Sequence, residues 1–259
     1  MEAPARRPLV LVPGACLGGW AWREVAADLR RRGHDVYPVT LTGLGERVHL
    51  ARPEVDLETH ILDVIGVLDY EDLHDAVLVG HSYSGIVVTG VADRKHERLR
   101  AVVYFDCSPL PDGMSIADVQ PPSMRERQER DVRARGHGWR WPVPDAQTLR
   151  SGAFGSTAGL TDEQVSELER RGTPQPYRTF TSALALTHIE PPNVRRAAIF
   201  CTAGGITVAL LQQLLEQGDP RAAMFAGPDW QLYELATGHW AMLSEPAQSA
   251  EVLARIAEG

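Results

Sequence analysis

The chain has 259 residues, 44% of them hydrophobic and 23% charged, with a formal net charge of −8. The acidic balance argues against a nucleic-acid surface or any other polyanionic partner, and no apolar run approaches the ~20 residues that span a bilayer. Residues 1–7 lack the apolar core of a secretion signal, so a cytoplasmic protein without membrane association is expected. Three widely spaced cysteines, Cys16, Cys107 and Cys201, fit reduced, buried thiols better than a disulfide framework or a metal site.

Residues 8–12 are a continuous apolar run, as in a parallel strand covered on both faces. The run ends in Pro13-Gly14-Ala15-Cys16-Leu17-Gly18-Gly19-Trp20, where clustered glycines point to unusual backbone angles or a close approach. A helix follows over 21–32, with Trp22, Val25, Ala26 and Leu29 on one face and Gly33 as its stop. Residues 35–41 read as a second strand and 42–47 as a polar loop. The pattern predicts a helix over 56–70, with a stripe of Leu57, Ile61, Val64, Ile65 and Leu68. A buried strand over 76–79 then runs into Val79-Gly80-His81-Ser82-Tyr83-Ser84-Gly85 and a helix of small residues over 85–92. Residues 101–105 form another buried strand, which delivers Asp106 at its C-terminal end.

From 109 to 188 proline, glycine and arginine become frequent and the helical stretches turn short and polar. The clearest is 161–171, where Thr161 and Gln164 are placed for a capping box. Alternation resumes with a strand over 197–201, a helix over 208–217, a strand over 231–235, the loop Thr237-Gly238-His239-Trp240 and a helix over 246–257. Six strands alternating with helices imply an α/β fold with a mostly parallel, doubly wound sheet. The expected organisation is one domain over 1–259. Its core is 1–108 with 189–259, and 109–188 is inserted as a helical cap.

In such a sheet the working residues gather at the C-terminal strand ends. Ser82 lies at a strand-to-helix junction between Gly80 and Ser84, the small-x-Ser-x-small pattern of a nucleophile elbow. His239 follows the last strand and is the candidate base; Asp106 is the candidate acid to orient it. Glu245, Asp219 and Asp229 are other acids near His239 in sequence, but none falls at a strand end. Backbone N–H groups of Tyr83 and Ala15 are the candidate oxyanion donors. Cys16, Leu17, Trp20, Trp139, Trp141, His188 and Trp240 are candidates to line a substrate pocket. Trp20 reads equally as core cover; His188 and His49 could line a pocket, but lone histidines more often do nothing catalytic. His81 is expected to pack beneath the elbow. No metal or organic cofactor is implied.

These segments resemble the α/β-hydrolases, and within them the group of plant methylesterases, hydroxynitrile lyases and their bacterial relatives. The resemblance rests on the stretch from Leu9 to Trp20, on Leu41-Thr42-Gly43-Leu44-Gly45, on the Ser82 heptapeptide and on Thr237-Gly238-His239-Trp240-Ala241-Met242-Leu243-Ser244-Glu245-Pro246. It departs from the group's pattern at Pro13, where a histidine is usual, and at Ser84, where glycine is usual. Plant members carry the triad acid after the strand corresponding to 197–201. Here that loop reads Thr202-Ala203-Gly204-Gly205-Ile206, and Asp106 occupies the position one strand earlier that other α/β-hydrolases use. The lyases carry a threonine and a lysine where this chain has Gly14 and Trp240. The resemblance therefore implies a serine hydrolase cleaving an ester, thioester or lactone of a small, rather apolar molecule through an acyl-enzyme on Ser82. A lyase or cyclase using Ser82 and His239 for proton transfer, and a ligand-binding protein without turnover, are the alternatives. The expected partner is a small-molecule substrate, with a homodimer left open.

Overall fold

The computed structural model describes residues 7–188, 194–220, 222–227 and 230–259. The residues before Arg7, Asp229 and the first residues of the expected second core segment lie outside them.

The first part of the chain runs β1 (Leu9–Val12), α1 (Arg23–Arg31), β2 (Val36–Pro38), α2 (Leu57–Tyr70), β3 (Ala76–His81), α3 (Ser84–Lys95) and β4 (Leu99–Phe105). The stretch after β4 adds α4 (Ile116–Val119), α5 (Pro122–Arg135), β5 (Arg140–Trp141), α6 (Ala146–Arg150), α7 (Asp162–Arg171), β6 (Gln175–Pro176) and α8 (Arg178–Thr181). The chain then returns through β7 (Arg195–Cys201), α9 (Val208–Glu216), β8 (Trp230–Leu235), α10 (Ala241–Ser244) and α11 (Pro246–Glu258).

Six strands form one parallel sheet in the order β2-β1-β3-β4-β7-β8, and β5 pairs with β6 in a small antiparallel ribbon. Side chains alternate across each buried strand. Leu9 and Leu11 of β1, Val77 and Val79 of β3, and Val103 and Phe105 of β4 pack with Trp22, Val25 and Leu29 of the α1 region and Leu253 of α11. Val10, Leu78 and Val102 face the other way, onto Ile61, Val64 and Leu68 of α2 and Ile86 and Val87 of α3. Two apolar layers thus sandwich the sheet, which is why its strands read as unbroken apolar runs.

The second strand is shorter than the expected 35–41. It is the sheet edge, and Pro38 has no N–H for the ladder; the last bond on this side is Val39 N–H to the Leu11 carbonyl at 2.9 Å. The chain moves to one side of β1 to make β2 and to the other to make β3, so the strand order reverses beside β1. That reversal opens a crevice at the C-terminal ends of β1 and β3, where the glycine-rich loop and Ser82 emerge.

The segment after β4 is more ordered than its composition suggests. Helix α5 has 14 residues and starts with a proline in its first turn, where the missing N–H is not needed. Its buried residues are Gln128 and Val132, one turn apart. The Thr161–Gln164 capping box is present at the start of α7.

Packing at β3 and α3 separates two glycines by the nature of their neighbours. A Cβ on Gly80 would lie 2.6 Å from the Ser84 carbonyl oxygen, which is backbone and cannot move aside. A Cβ on Gly90 would meet the terminal methyl of Ile61, which can swing away. Gly80→Ala is expected to cost about 2–3 kcal/mol of stability. Gly90→Ala should cost about 1 kcal/mol or less, its crowding offset by alanine's helix propensity. Urea denaturation of both variants checks the ranking; equal costs would show that the turn relaxes.

Candidate active site

Ser82 follows β3 directly and has φ of 53°, the left-handed conformation that a bulky side chain rarely adopts. Its N–H donates to the Phe105 carbonyl at 3.2 Å, and its own carbonyl accepts from Gly85 N–H at 2.9 Å. The hydroxyl is thus lifted off the sheet at the N-terminal, positive end of α3. Ser84, two residues on, does more than fit a small space. It is fully buried and its hydroxyl donates to the Pro13 carbonyl at 2.5 Å, tying the elbow to the loop after β1.

Asp106 caps β4, also in the left-handed region, with φ of 50°. One carboxylate oxygen accepts Cys201 N–H from the end of β7 at 2.9 Å. The other lies 2.5 Å from His239 Nδ1, and His239 Nε2 lies 2.9 Å from Ser82 Oγ. Nδ1–H therefore donates to the carboxylate, which leaves the Nε2 lone pair facing the serine hydroxyl. This is the arrangement in which an imidazole can take a hydroxyl proton while its developing charge is met by a carboxylate. Asp229 lies outside the described residues, and the other two candidate acids are engaged elsewhere. Glu245 accepts from Gln248 at the start of α11, and Asp219 lies in the turn after α9.

His81 lies beneath the elbow, 1% exposed. Its Nε2–H donates to the His239 carbonyl at 2.8 Å. Burial, then the neighbouring His239, holds its pKa well below the ordinary histidine range, so it is a neutral strut. The backbone of the His239 loop is held from the inserted stretch as well. His239 N–H donates to the Ser156 carbonyl at 2.8 Å and Gly238 N–H to the Ala158 carbonyl at 2.9 Å.

The loop after β1 is held in the same way. Cys16 N–H donates to Gln175 Oε1 at 2.9 Å, and Thr173 N–H donates to the Cys16 carbonyl at 2.9 Å. Among the described residues, the N–H groups of Ala15 and Tyr83 are donated to no protein acceptor. Both residues line the same cavity as Ser82. The Tyr83 side chain points away from that task. Its hydroxyl donates to His60 Nδ1 at 2.9 Å, and His60 Nε2–H donates to the Thr42 carbonyl at 2.9 Å. Burial pushes the pKa of His60 down to about 4.

The cavity over Ser82 holds about 420 Å³. Cys16, Leu17, Trp141 and Trp240 line it. Trp20, Trp139 and His188 do not. Trp20 lies 4.2 Å beneath the Arg171 guanidinium, Trp139 lies against Arg140, and His188 donates its backbone N–H to Asp93 at 2.7 Å. Aromatic character alone does not tell which side of a loop a ring will cover. His49 is exposed, with its ring against the Glu46 carbonyl. Phe154, Phe180, Met124, Gln120 and Gln128, all from the inserted stretch, line the cavity in addition. Among the described residues no lysine or arginine does. The thiols of Cys16 and Cys107 sit in the cavity wall; burial pushes the Cys16 thiol up to about 12 and raises that of Cys107 too.

Comparison with known proteins agrees with this architecture. The model of the alpha/beta hydrolase family matches residues 9–252. This chain belongs to the alpha/beta hydrolase family. It is 34% identical to a carbendazim hydrolyzing esterase of Nocardioides sp., over 95% of this chain and 98% of that one. It is 25% identical to Methylesterase 9 of Arabidopsis thaliana, over 96% of this chain and 97% of that one. An extracellular alpha/beta-hydrolase from a Paenibacillus species superimposes with a TM-score of 0.80 at 23% identity, covering 96% of this chain and 98% of that one.

Two predictions follow from the packing around the imidazole and the elbow. Gly155 has φ of 119°, and a Cβ there would lie 2.5 Å from His239 Cγ. Gly155→Ala should displace the ring and slow labelling of Ser82 by a fluorophosphonate roughly 100-fold, with the melting temperature changed by a few degrees at most. Unchanged labelling would show that the loop yields instead of the ring. The second concerns acid. The unfolded chain protonates His60 below its ordinary pKa of 6.5, while the folded chain resists until about pH 4. Stability should therefore fall as pH drops from about 6.5 to about 4, by about 3 kcal/mol from this group. Urea unfolding of His60→Gln should show a shallower loss; an identical pH profile would remove His60 from the account.

Proposed function

We propose that this protein is a serine hydrolase of neutral carboxylic esters, acting through an acyl-enzyme on Ser82. The observation that carries the reading is the continuous chain from Ser82 Oγ through His239 to Asp106, at 2.9 and 2.5 Å, on the floor of a cavity that lacks cationic side chains among the described residues. A carboxylate or phosphate substrate would meet no counterion there, whereas a neutral ester is transferred into an apolar wall at little cost. The chain's relatives, a carbendazim hydrolyzing esterase and a methylesterase, support an ester or ester-like carbonyl as the reacting group.

Ser82 Oγ attacks the carbonyl carbon as His239 Nε2 takes its proton. The carbonyl oxygen becomes an oxyanion and accepts from the N–H groups of Ala15 and Tyr83, which need no reorientation at that moment. Asp106 stabilises the imidazolium. His239 then gives its proton to the leaving alcohol oxygen, and the C–O bond breaks to leave the acyl group on Ser82. Water enters, gives a proton to His239 and attacks the same carbon; the proton returns to Ser82 as the acid departs. The inserted 109–188 stretch acts as the cap that keeps bulk water from the acyl-enzyme. A cytoplasmic setting suits the three free thiols.

A p-nitrophenyl ester of a short acid tests this directly. The wild type should release a burst of p-nitrophenolate equal to the active sites and then turn over more slowly. Ser82→Ala should show no burst, and Asp106→Asn should turn over about 10⁴-fold more slowly, its histidine left in the wrong tautomer. A burst that survives Ser82→Ala would place the nucleophile elsewhere.

A further inference from the structure

Cys16 is held in a conformation that a cysteine rarely adopts. Leu17 N–H donates to the Gly14 carbonyl at 3.3 Å, which closes a four-residue turn with Ala15 and Cys16 at its centre. Cys16 is the third residue of that turn and has φ of 63°. A left-handed third residue is usually glycine or asparagine, because a Cβ there crowds the neighbouring carbonyl. Backbone strain of this kind persists only where the surroundings over-determine it.

The surroundings here are residues 173–180. Cys16 N–H donates to Gln175 Oε1 at 2.9 Å, and the Cys16 carbonyl accepts from Thr173 N–H at 2.9 Å. Both backbone polar groups of the strained residue are therefore taken by one short segment. The side-chain acceptor is itself fixed. Gln175 is fully buried and its Nε2 donates to Thr179 Oγ1 at 2.9 Å, while the Thr179 hydroxyl donates to the Pro176 carbonyl at 2.7 Å. Thr173 Oγ1 accepts from Gly45 N–H at 2.9 Å, which anchors the segment to the loop after β2. At its far end the Phe180 ring lies 5.3 Å from the Tyr83 ring, centroid to centroid. The segment thus reaches the residues of both candidate oxyanion donors, Ala15 through its neighbour and Tyr83 through its ring.

We infer that Gln175 is a positioning residue for the oxyanion site: by holding Cys16 N–H it fixes the turn that presents Ala15 N–H to the cavity. The inference rests on the hydrolase reading above. Gln175 touches no reacting atom and acts through the turn alone. Without its acceptor, Cys16 N–H is left buried and unpaired. Turning over the peptide plane between Ala15 and Cys16 then relieves the left-handed φ, and the turn no longer holds Ala15 in one conformation. An oxyanion donor works because it is aimed before the charge develops, so this loss falls on the transition state and not on ester binding.

The test compares Gln175→Met, which removes the acceptor, with Gln175→Glu, which keeps it and, when protonated, donates to Thr179 as the amide does. Turnover of p-nitrophenyl butyrate is measured beside the affinity for 1,1,1-trifluoro-4-phenylbutan-2-one. Ser82 Oγ adds to that ketone carbon as His239 takes the proton, and the carbonyl oxygen becomes an oxyanion that cannot go on to products. Gln175→Met should lower kcat about 10- to 100-fold with KM within threefold, and the ketone affinity should fall by the same factor. Gln175→Glu should restore both to within threefold of wild type at pH 6.5. Hydrogen exchange should show the peptide over 13–18 deprotected in Gln175→Met and protected in Gln175→Glu. Thr179→Val, which frees only the far end of Gln175, is the second variant. It should lower kcat and ketone affinity together by about threefold or more, and Thr179→Ser should restore them. Wild-type kcat and ketone affinity in Gln175→Met, or a raised KM alone, overturns the inference; if that variant does not fold, an unchanged Thr179→Val enzyme overturns it. A wild-type chain that turns over no ester and binds no ketone overturns the hydrolase reading instead.

Discussion

The Asp106 carboxylate is the junction on which the site depends. One oxygen is pinned by the Cys201 amide at the end of β7, and the other holds the imidazole that follows β8. The residue itself ends β4, and its N–H is fixed by the Ile199 carbonyl at 2.7 Å. Three adjacent strands thus meet at one side chain. A carboxylate with both oxygens spent has little freedom to turn, so the ring it holds is aimed by the sheet and not by a flexible loop. The left-handed backbone at Asp106 matches that at Ser82, since both chains must turn sharply at the sheet edge to present a side chain upward.

What the sequence made legible follows from where each segment is buried. Strands covered on both faces need apolar residues at every position, so β1, β3, β4 and β7 stand out, and their order along the chain places Ser82, Asp106 and His239 on one sheet edge. The inserted stretch is legible only in part. The stripe of α5 is broken by Gln128, and its other positions are mostly arginine and glutamate, so no apolar period marks a helix of that length. The aromatic residues misled in a different way. Trp20, Trp139 and Trp141 look alike in sequence, but only Trp141 is on the cavity side, while Phe154 and Phe180 carry no flanking motif. The glycines at 152, 155 and 159 were a usable signal, a cluster comparable to that after β1, and one of them closes on the His239 ring.

The stretch between β4 and β7 also holds two loops of the site. Its 156–158 carbonyls hold the His239 loop, and Thr173 and Gln175 hold the Cys16 loop. The two loops that supply the base and one candidate oxyanion donor therefore have hydrogen-bond partners outside the sheet. The positions of the base and of one candidate oxyanion amide thus depend on residues 156–175 as well as on the sheet. Three of these contacts are main-chain to main-chain, and one runs through the Gln175 side chain.

The cavity wall carries sulfur as well as oxygen, and that pairing bears on which atom an acyl group would choose. A thiol is ordinarily the better nucleophile, but only as thiolate. With the Cys16 thiol pushed up to about 12, fewer than about one in 10⁴ of those sulfurs is ionised at neutral pH. The hydroxyl of Ser82 is a poorer nucleophile in water, but here it has its own proton acceptor at 2.9 Å. Burial silences the sulfur that would otherwise trap the acyl group as a thioester, and chemoselectivity is built into the dielectric of the wall.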